Sequence, residues 1–235
     1  MYKRVLLKLS GEALSSEESP FEPKVLQPLA LELKKVIEQG TQVAIVVGGG
    51  NIIRGKFASV LGLPRVQADK MGMLGTLLNA LALQGACDQL GIKSVVQCAV
   101  ECPRVCELID ARKAVQYLEE GTIVIFAGGT GNPYFSTDSG AALRAAETNC
   151  EVILLAKNGV DGVYTADPRK DPTAVKYDEL TYDEMLEKNL QVIDTTAASM
   201  CRDTHIGAIV FNMNQLENIS AVCAGEKLGT VIKAD

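Results

Sequence analysis

Short apolar runs alternate with helical patterns along the chain, and this alternation most limits the folds available to it. Four runs rich in Val, Ile and Leu are typical of buried strands: 5–10, 42–47, 122–127 and 152–156. Weaker runs occupy 94–97, 208–212 and 229–232. Helical patterns fill 24–39, 65–90, 110–120, 138–148, 182–188, 195–204 and 215–224, and the apolar positions within 65–90 predict a largely buried helix there. The pattern predicts an α/β fold, a three-layer sandwich whose central, mostly parallel twisted sheet is flanked by helices.

Chain length and composition limit the number of domains and exclude some classes of protein. The 235 residues are 47% hydrophobic and show no convincing linker, so we expect a single domain over 1–235. The formal net charge of -6 argues against a nucleic-acid binder, which needs a basic face. No stretch approaches the roughly 20 apolar residues of a membrane span. The N-terminus lacks a signal-peptide core because Lys8 interrupts its apolar run.

The seven cysteines are scattered through apolar segments, which suits a reducing compartment, and we expect a cytoplasmic protein. Cys98, Cys102 and Cys106 are spaced four and four apart, which matches no zinc or iron-sulfur signature. The only histidine, His205, is far from them in sequence. We therefore expect buried or half-buried thiols rather than metal ligands.

Glycine clusters follow three of the strong strands, at Ser10-Gly11, at 48–50 and at 128–131. Ligands of parallel sheets bind beyond the carboxyl ends of the strands. The three clusters are therefore predicted to meet at one edge of the sheet and to form the site.

The segment "GGGNIIRG" at 48–55 can bind an anion, because glycine N–H groups, a helix start and Arg54 come together there. A tight turn without a ligand would also explain a glycine triplet. The spacing from Gly50 to Lys56 imitates a P-loop, but Phe57 stands where a magnesium-binding hydroxyl is needed.

Lys8 lies within an otherwise apolar strand, where a lysine needs a partner or a role. Near the carboxyl end of the strand it could reach an anion bound at the sheet edge. The alternative is a lysine on an edge strand, which protects against aggregation. The residues alone leave both interpretations open.

Two further loops carry polar groups suited to a ligand. The segment 126–145 holds the hydroxyls of Thr130, Tyr134, Ser136 and Thr137 before a helix that Asp138 leads, and Thr137 or Asp138 could simply cap that helix. In "DGVYTADP" at 161–168, an aromatic ring and a carboxylate suit a base and a ribose, although a β-turn would also explain them.

Taken together, these segments resemble the amino acid kinase family and, within it, the bacterial branch that phosphorylates UMP. Six motifs stand in the family order: "KLSGEAL" at 8–14, "GGGNIIRG" at 48–55, "DKMGML" at 69–74, "GTGNPYFSTD" at 129–138, "DGVYTADP" at 161–168 and "FNMN" at 211–214. The resemblance implies reversible transfer of the ATP γ-phosphate to UMP, giving UDP for the synthesis of UTP and CTP. It places the acceptor part at about 1–150 and the ATP part at about 151–235.

The resemblance also assigns site residues, position by position. The implied catalytic residues are Lys8, Arg54, Asp138 and Asp194. The implied ATP-binding residues are Lys8, Leu9, Ser10, Gly11, Gly50, Arg54, Asn158, Tyr164 and Asp167. The implied UMP-binding residues are Gly49, Asp69, Thr130, Gly131, Asn132, Pro133, Tyr134, Phe135, Ser136 and Thr137. Mg²⁺ is implied as the cofactor that arrives with ATP, held by nucleotide phosphates rather than by protein side chains.

Assembly and regulation follow from the same resemblance. It implies a homohexamer and feedback inhibition by UTP. The net charge and the hydropathy, by contrast, are the grounds for expecting no nucleic-acid or membrane partner. Members that GTP activates carry a glycine-rich stretch where this chain has the acidic "SSEESPFEP" at 15–23. We therefore expect GTP to change the rate little, and a several-fold rise in UDP formation with GTP would contradict this.

Two other functions remain open at this stage. A kinase of the same fold could phosphorylate a carboxylate, as N-acetylglutamate and aspartate kinases do, but Asp69 and the loop at 130–137 would then lack a purpose. A nucleotide-binding regulator without catalysis is the second alternative, against which the intact Lys8, Arg54 and Asp138 argue.

Overall fold

A nine-stranded sheet forms the centre of the molecule. The computed structural model describes residues 1–16, 18–53 and 62–234. The strand order is β4-β3-β5-β2-β1-β6-β10-β11-β9, and every pairing is parallel except that of β10 with β11. A separate antiparallel pair joins β7 to β8. The strands of the main sheet are β1 Arg4–Leu9, β2 Gln42–Val47, β3 Ser94–Cys98, β4 Glu107–Leu108, β5 Ile123–Ala127, β6 Val152–Lys157, β9 Glu179–Thr181, β10 Gly207–Asn212 and β11 Thr230–Lys233; β7 is Val163–Tyr164 and β8 is Lys176–Tyr177.

Helices cover both faces of this sheet. The described residues form the helices α1 Pro23–Glu38, α2 Arg65–Gln89, α3 Ala111–Glu119, α4 Thr137–Glu147, α5 Tyr182–Glu187, α6 Thr195–Asp203 and α7 Glu217–Ala224, with a 3₁₀ turn at Gly11–Leu14. Core residues of α1, α2 and α7 pack on one face. Core residues of α3, α4, α5 and α6 pack on the other. The predicted three-layer α/β architecture is confirmed.

The side-chain alternation of β1 determines where its lysine points. Successive side chains of a strand face opposite sides of the sheet. Leu7 and Leu9 belong to the core beside α1 and α2, whereas Leu6 belongs to the core beside α4. Lys8 shares the face of Leu6 and therefore points toward α4.

The predicted elements are confirmed in number and place for all seven apolar runs and all seven helical patterns. The short strands β4, β7, β8 and β9 were not predicted, because segments of two or three residues carry no periodic signal. The antiparallel direction of β11 was not predicted either. A short connection after α7 returns the chain beside β10 from the opposite end.

One prediction about α2 is wrong in part. Its apolar positions suggested a largely buried helix, but Leu74 and Leu78 are each 48% exposed. Leu77 and Leu83 do pack in the core. The helix therefore carries an exposed leucine pair on the side away from the sheet.

The burial of the cysteines and the apolar character of the helices can also be compared with the predictions. All seven cysteines are free, five of them buried, which confirms the expectation of buried or half-buried thiols. In the described part of the chain, no helix combines the length and the apolar character that a membrane crossing requires.

Candidate active site

The glycine turns after β1 and β2 pack directly against each other. A Cβ at Gly11 would lie 2.8 Å from Gly48 O and 2.9 Å from Gly50 N, so only glycine allows this approach. The turn after β5 joins them through α2, because Gly128 N donates to Thr76 Oγ1 at 2.7 Å. The prediction that the three clusters meet at one sheet edge is confirmed.

A buried asparagine of α2 holds the second glycine turn in place. Asn79 donates to Gly48 O at 2.6 Å and exchanges amide hydrogen bonds with Asn51 at 2.7 and 3.0 Å. Asn51 also donates to Pro20 O at 2.8 Å, which brings in the segment before α1. Sequence reasoning missed Asn79, although an amide within an apolar helical pattern needs hydrogen-bond partners and could have signalled it.

Gly49 and Gly50 differ in the space around them, which gives a matched test. A Cβ at Gly49 would lie 2.8 Å from Gly72 O and 3.1 Å from Thr76 N, both in the backbone of α2. At Gly50 the nearest atom would be Glu12 Cγ at 4.0 Å. Gly49→Ala should lower the free energy of unfolding by about 1–3 kcal/mol through overpacking, and Gly50→Ala should not. Urea unfolding of both variants checks this, and equal stabilities would contradict it.

Lys8 forms an ion pair with Asp138 at the carboxyl edge. The Nζ atom lies 2.8 Å from Asp138 Oδ1, and the two side chains are 12% and 16% exposed. The approach lies outside hydrogen-bond geometry, so Asp138 Oδ1 is buried without a hydrogen bond. Because β1 lies between β2 and β6, the alternative of an edge-strand lysine is wrong.

Lys157 is a third charged group of this cluster, and sequence reasoning missed it. Burial lowers the pKa of Lys157 foremost, the nearby Lys8 lowers it further, and Asp138 raises it. Its Nζ donates to Val192 O at 2.8 Å. Lys157 therefore interacts electrostatically with the Lys8–Asp138 pair from the end of β6, the strand next to β1.

Asp194 joins the starts of two helices. Its carboxylate caps α6 by accepting a hydrogen bond from Ala197 N at 2.9 Å. It also accepts hydrogen bonds from the hydroxyls of Ser136 and Ser139, at 3.1 Å for Ser139. The carboxylate is thereby engaged at the start of α4, one residue from Asp138. This arrangement favours a positioning role for Asp194.

The N-cap of α4 is Ser136. Its hydroxyl accepts hydrogen bonds from the N–H groups of Asp138 and Ser139, at 3.0 and 3.2 Å. The alternative that Thr137 or Asp138 serves only as the cap is therefore wrong. The cap leaves the Asp138 side chain available for Lys8.

A cavity of about 620 Å³ opens beside this cluster, between the second and third glycine turns. We call it the glycine cavity. Its wall includes eight of the residues predicted to bind nucleotide: Gly49, Gly50, Asp69, Thr130, Asn132, Phe135, Ser136 and Thr137. Tyr134 stands outside the wall with its ring exposed, but its N–H donates to Asp69 Oδ2 at 2.8 Å. Gly131 and Pro133 are not part of the wall.

A second cavity of about 530 Å³ lies beyond the end of β6, and we call it the tyrosine cavity. Tyr164 and Asp167, which were both predicted to bind ATP, line this cavity together with Lys157. Tyr164 donates to Asp161 Oδ1 at 2.6 Å. Arg169 beside Asp167 lowers the pKa of that carboxyl.

The other predicted residues lie as follows. Asn158 is exposed just after β6 and does not line the tyrosine cavity. The side chain of Leu9 is fully buried in the core, so it offers a ligand only its backbone. Ser10 is half-buried in the first glycine turn. Arg54 lies outside the described residues.

Comparisons with known proteins agree with this geometry. Residues 3–212 match the model of the amino acid kinase family, to which the chain therefore belongs. Within the family, the chain is 53% identical over 235 residues to uridylate kinase of Pediococcus pentosaceus and 54% identical over 235 residues to that of Limosilactobacillus reuteri, covering 100% of this chain and 98% of each relative. The structure of UMP kinase from Bacillus anthracis is similar with a TM-score of 0.96 at 41% identity, covering 100% of this chain and 97% of that chain.

Proposed function

We propose that the chain transfers the γ-phosphate of ATP to UMP, giving UDP and ADP, as a nucleoside monophosphate kinase. The single observation that carries this proposal is the Lys8–Asp138 pair at the carboxyl edge of the sheet, where neighbouring residues line two nucleotide-sized cavities. Thr137, the neighbour of Asp138, lines the glycine cavity, and Lys157 lines the tyrosine cavity. The uridylate kinase relatives, which align over the whole chain, support the choice of UMP.

Phosphoryl transfer requires alignment of two phosphates and compensation of charge more than covalent work by the protein. UMP fits the glycine cavity, with its ribose at Asp69 and its base at the loop 130–137. ATP fits the tyrosine cavity, with its adenosine end at Tyr164 and Asp167. The phosphates would then meet at the glycine turns, near Lys8 and Lys157.

The two lysines have complementary positions in this scheme. Lys8 would compensate charge on the phosphoryl group in transfer, and Lys157 would act from the ATP side. Asp138 pairs with Lys8, and it raises the pKa of Lys157 against the lowering by burial and by Lys8. No nucleophilic side chain is needed, because the phosphate of UMP is itself the attacking group.

Mg²⁺ would arrive with ATP. In 1–16, 18–53 and 62–234, no group of three His, Cys, Asp or Glu side chains could hold a metal ion. The described residues therefore suit a metal ion that nucleotide oxygens would hold. When bound, Mg²⁺ supplies compensation of phosphate charge.

The exposed leucines of α2 support a proposal of self-association. Leu74 and Leu78 lie four residues apart, hence one turn apart on one helix face, where a second copy of the chain could cover them. We propose the homohexamer as the assembly.

The free thiols support a cytoplasmic location. The formation of UDP supports a role in pyrimidine nucleotide synthesis, where UTP would act as inhibitor. Neither nucleic acid nor membrane is proposed as a partner.

The test is a panel of acceptors offered with MgATP, with ADP formation measured for each. We expect UMP to give the highest kcat/KM, above CMP, N-acetylglutamate and aspartate. Turnover with an acyl acid but not with UMP would favour the carboxylate kinase instead. Binding of ATP and UMP without any turnover would favour the non-catalytic regulator.

A further inference from the structure

Arg65, the first residue of α2, makes an unusual set of contacts at the mouth of the glycine cavity. Its Nε atom donates to both carboxylate oxygens of Asp69, at 2.8 and 2.9 Å. Its guanidinium also lies over the ring of Tyr134, 5.7 Å from the ring centre. Arg65 and Asp69 are the two charged side chains among the described residues of the cavity wall.

An exposed arginine-aspartate pair one helical turn apart is usually worth little. This pair differs because Asp69 has a second partner, from a distant segment. Tyr134 N donates to Asp69 Oδ2 at 2.8 Å, and Tyr134 has a φ of 72°, a strained value for a residue other than glycine. The orientation of the Asp69 carboxylate therefore helps to hold the loop 130–137 that forms the cavity wall.

The hydrogen bonds that the Asp69 carboxylate already accepts determine how many more it can accept from a ligand. An ionised carboxylate offers about four lone-pair sites. Arg65 and Tyr134 together make three hydrogen bonds, two of which go to Oδ2. The remaining acceptor capacity is chiefly on Oδ1, which suits one hydroxyl donor.

Charge gives Arg65 a second effect. A nucleoside monophosphate carries negative charge into the glycine cavity, and Asp69 alone would repel it. Paired with Arg65, the carboxylate still accepts a hydroxyl hydrogen bond, but the wall has no net charge from these two groups.

We propose that Arg65 is a positioning residue that presents Asp69 to the ribose 2′-hydroxyl and so makes the glycine cavity selective for ribonucleotides over 2′-deoxyribonucleotides. This rests on the proposed function, with the acceptor nucleotide in the glycine cavity. Arg65 acts through Asp69 and not on the phosphoryl group, so its loss affects acceptor binding rather than the chemical step.

The test compares Arg65→Gln with the wild type for UMP and 2′-deoxy-UMP, by kinetics and by calorimetric binding. The expected result is a rise in the KM for UMP of about tenfold, the effect of losing one charge-assisted hydrogen bond, with kcat and the KM for ATP nearly unchanged. Binding of 2′-deoxy-UMP should weaken less, so that the preference for UMP falls. Arg65→Lys, which keeps the charge without the planar fork, should recover part of the affinity.

Arg112→Gln is the matched control, since Arg112 is exposed on α3 at the far side of the sheet. It should leave every constant unchanged. An unchanged KM for UMP in Arg65→Gln would overturn the inference while leaving the proposed function intact. Equal weakening of both acceptors would assign Arg65 a structural role and also overturn it. A wild type that does not phosphorylate UMP would refute the proposed function itself, and the inference with it.

Discussion

Replacing Lys8 by alanine is expected to lower kcat for UDP formation on the order of 10²–10³-fold, the loss typical of one electrostatic group at the reacting centre. Lys8 lies on a central strand, points toward α4 and pairs with Asp138 at 2.8 Å. In the proposed mechanism its charge acts on the phosphoryl group in transfer, so the KM values should change less than kcat. Steady-state kinetics with MgATP and UMP measure this.

Two further variants separate the charge of Lys8 from its packing and from the general effect of removing a lysine. Lys8→Met retains the aliphatic stem and tests whether lost packing contributes. Lys93→Ala removes an exposed lysine before β3 and should behave as the wild type. A Lys8→Ala enzyme that unfolds like the wild type and keeps its rate would remove Lys8 from the proposed mechanism.

Replacing Asp138 by asparagine is expected to lower kcat on the order of 10²-fold and to change its pH dependence. Asp138 raises the pKa of Lys157, whereas burial and Lys8 lower it. Without the carboxylate the pKa of Lys157 falls further, and this lysine loses its proton at lower pH. Because the proposed mechanism uses the protonated lysine, the alkaline limb of the profile of kcat against pH should move to lower pH.

Asp178→Asn, at an exposed position next to β9, is the matched control for this charge change and should leave the profile unchanged. Lys157→Met gives an independent check, because it removes the titrating group. If Lys157 is responsible, Asp138→Asn should not shift the alkaline limb in the Lys157→Met background. A shift of equal size there would assign the titration to another group.

The fold followed from the sequence because its strong strands are continuous apolar runs with glycine at their carboxyl ends. Parallel pairing then requires those ends to lie at one edge, which places Lys8, Gly11 and Gly49 together. The sequence did not point to Lys157, because the apolar run that predicts the strand ends at Ala156, whereas β6 continues for one more residue, to Lys157. Strand limits are where pattern reasoning is weakest, and here the limit hid a charged residue.

Other features depend on contacts that periodicity cannot reveal. The hydrogen bonds of Asp194 with Ser136 and Ser139 join segments more than fifty residues apart in sequence. The two exposed leucines of α2 follow the same period as its buried ones. An apolar helix face covered by a sheet and one left open to another molecule look alike in sequence.

The most direct measurement of the central claim follows the label of [γ-³²P]ATP after mixing with UMP and Mg²⁺. We predict label in UDP, in the same amount as the ADP formed. The labelled product should also regenerate labelled ATP when excess ADP is added, since the transfer is reversible. Label released only as inorganic phosphate, or no label in UDP while ATP and UMP are both bound, would contradict the account.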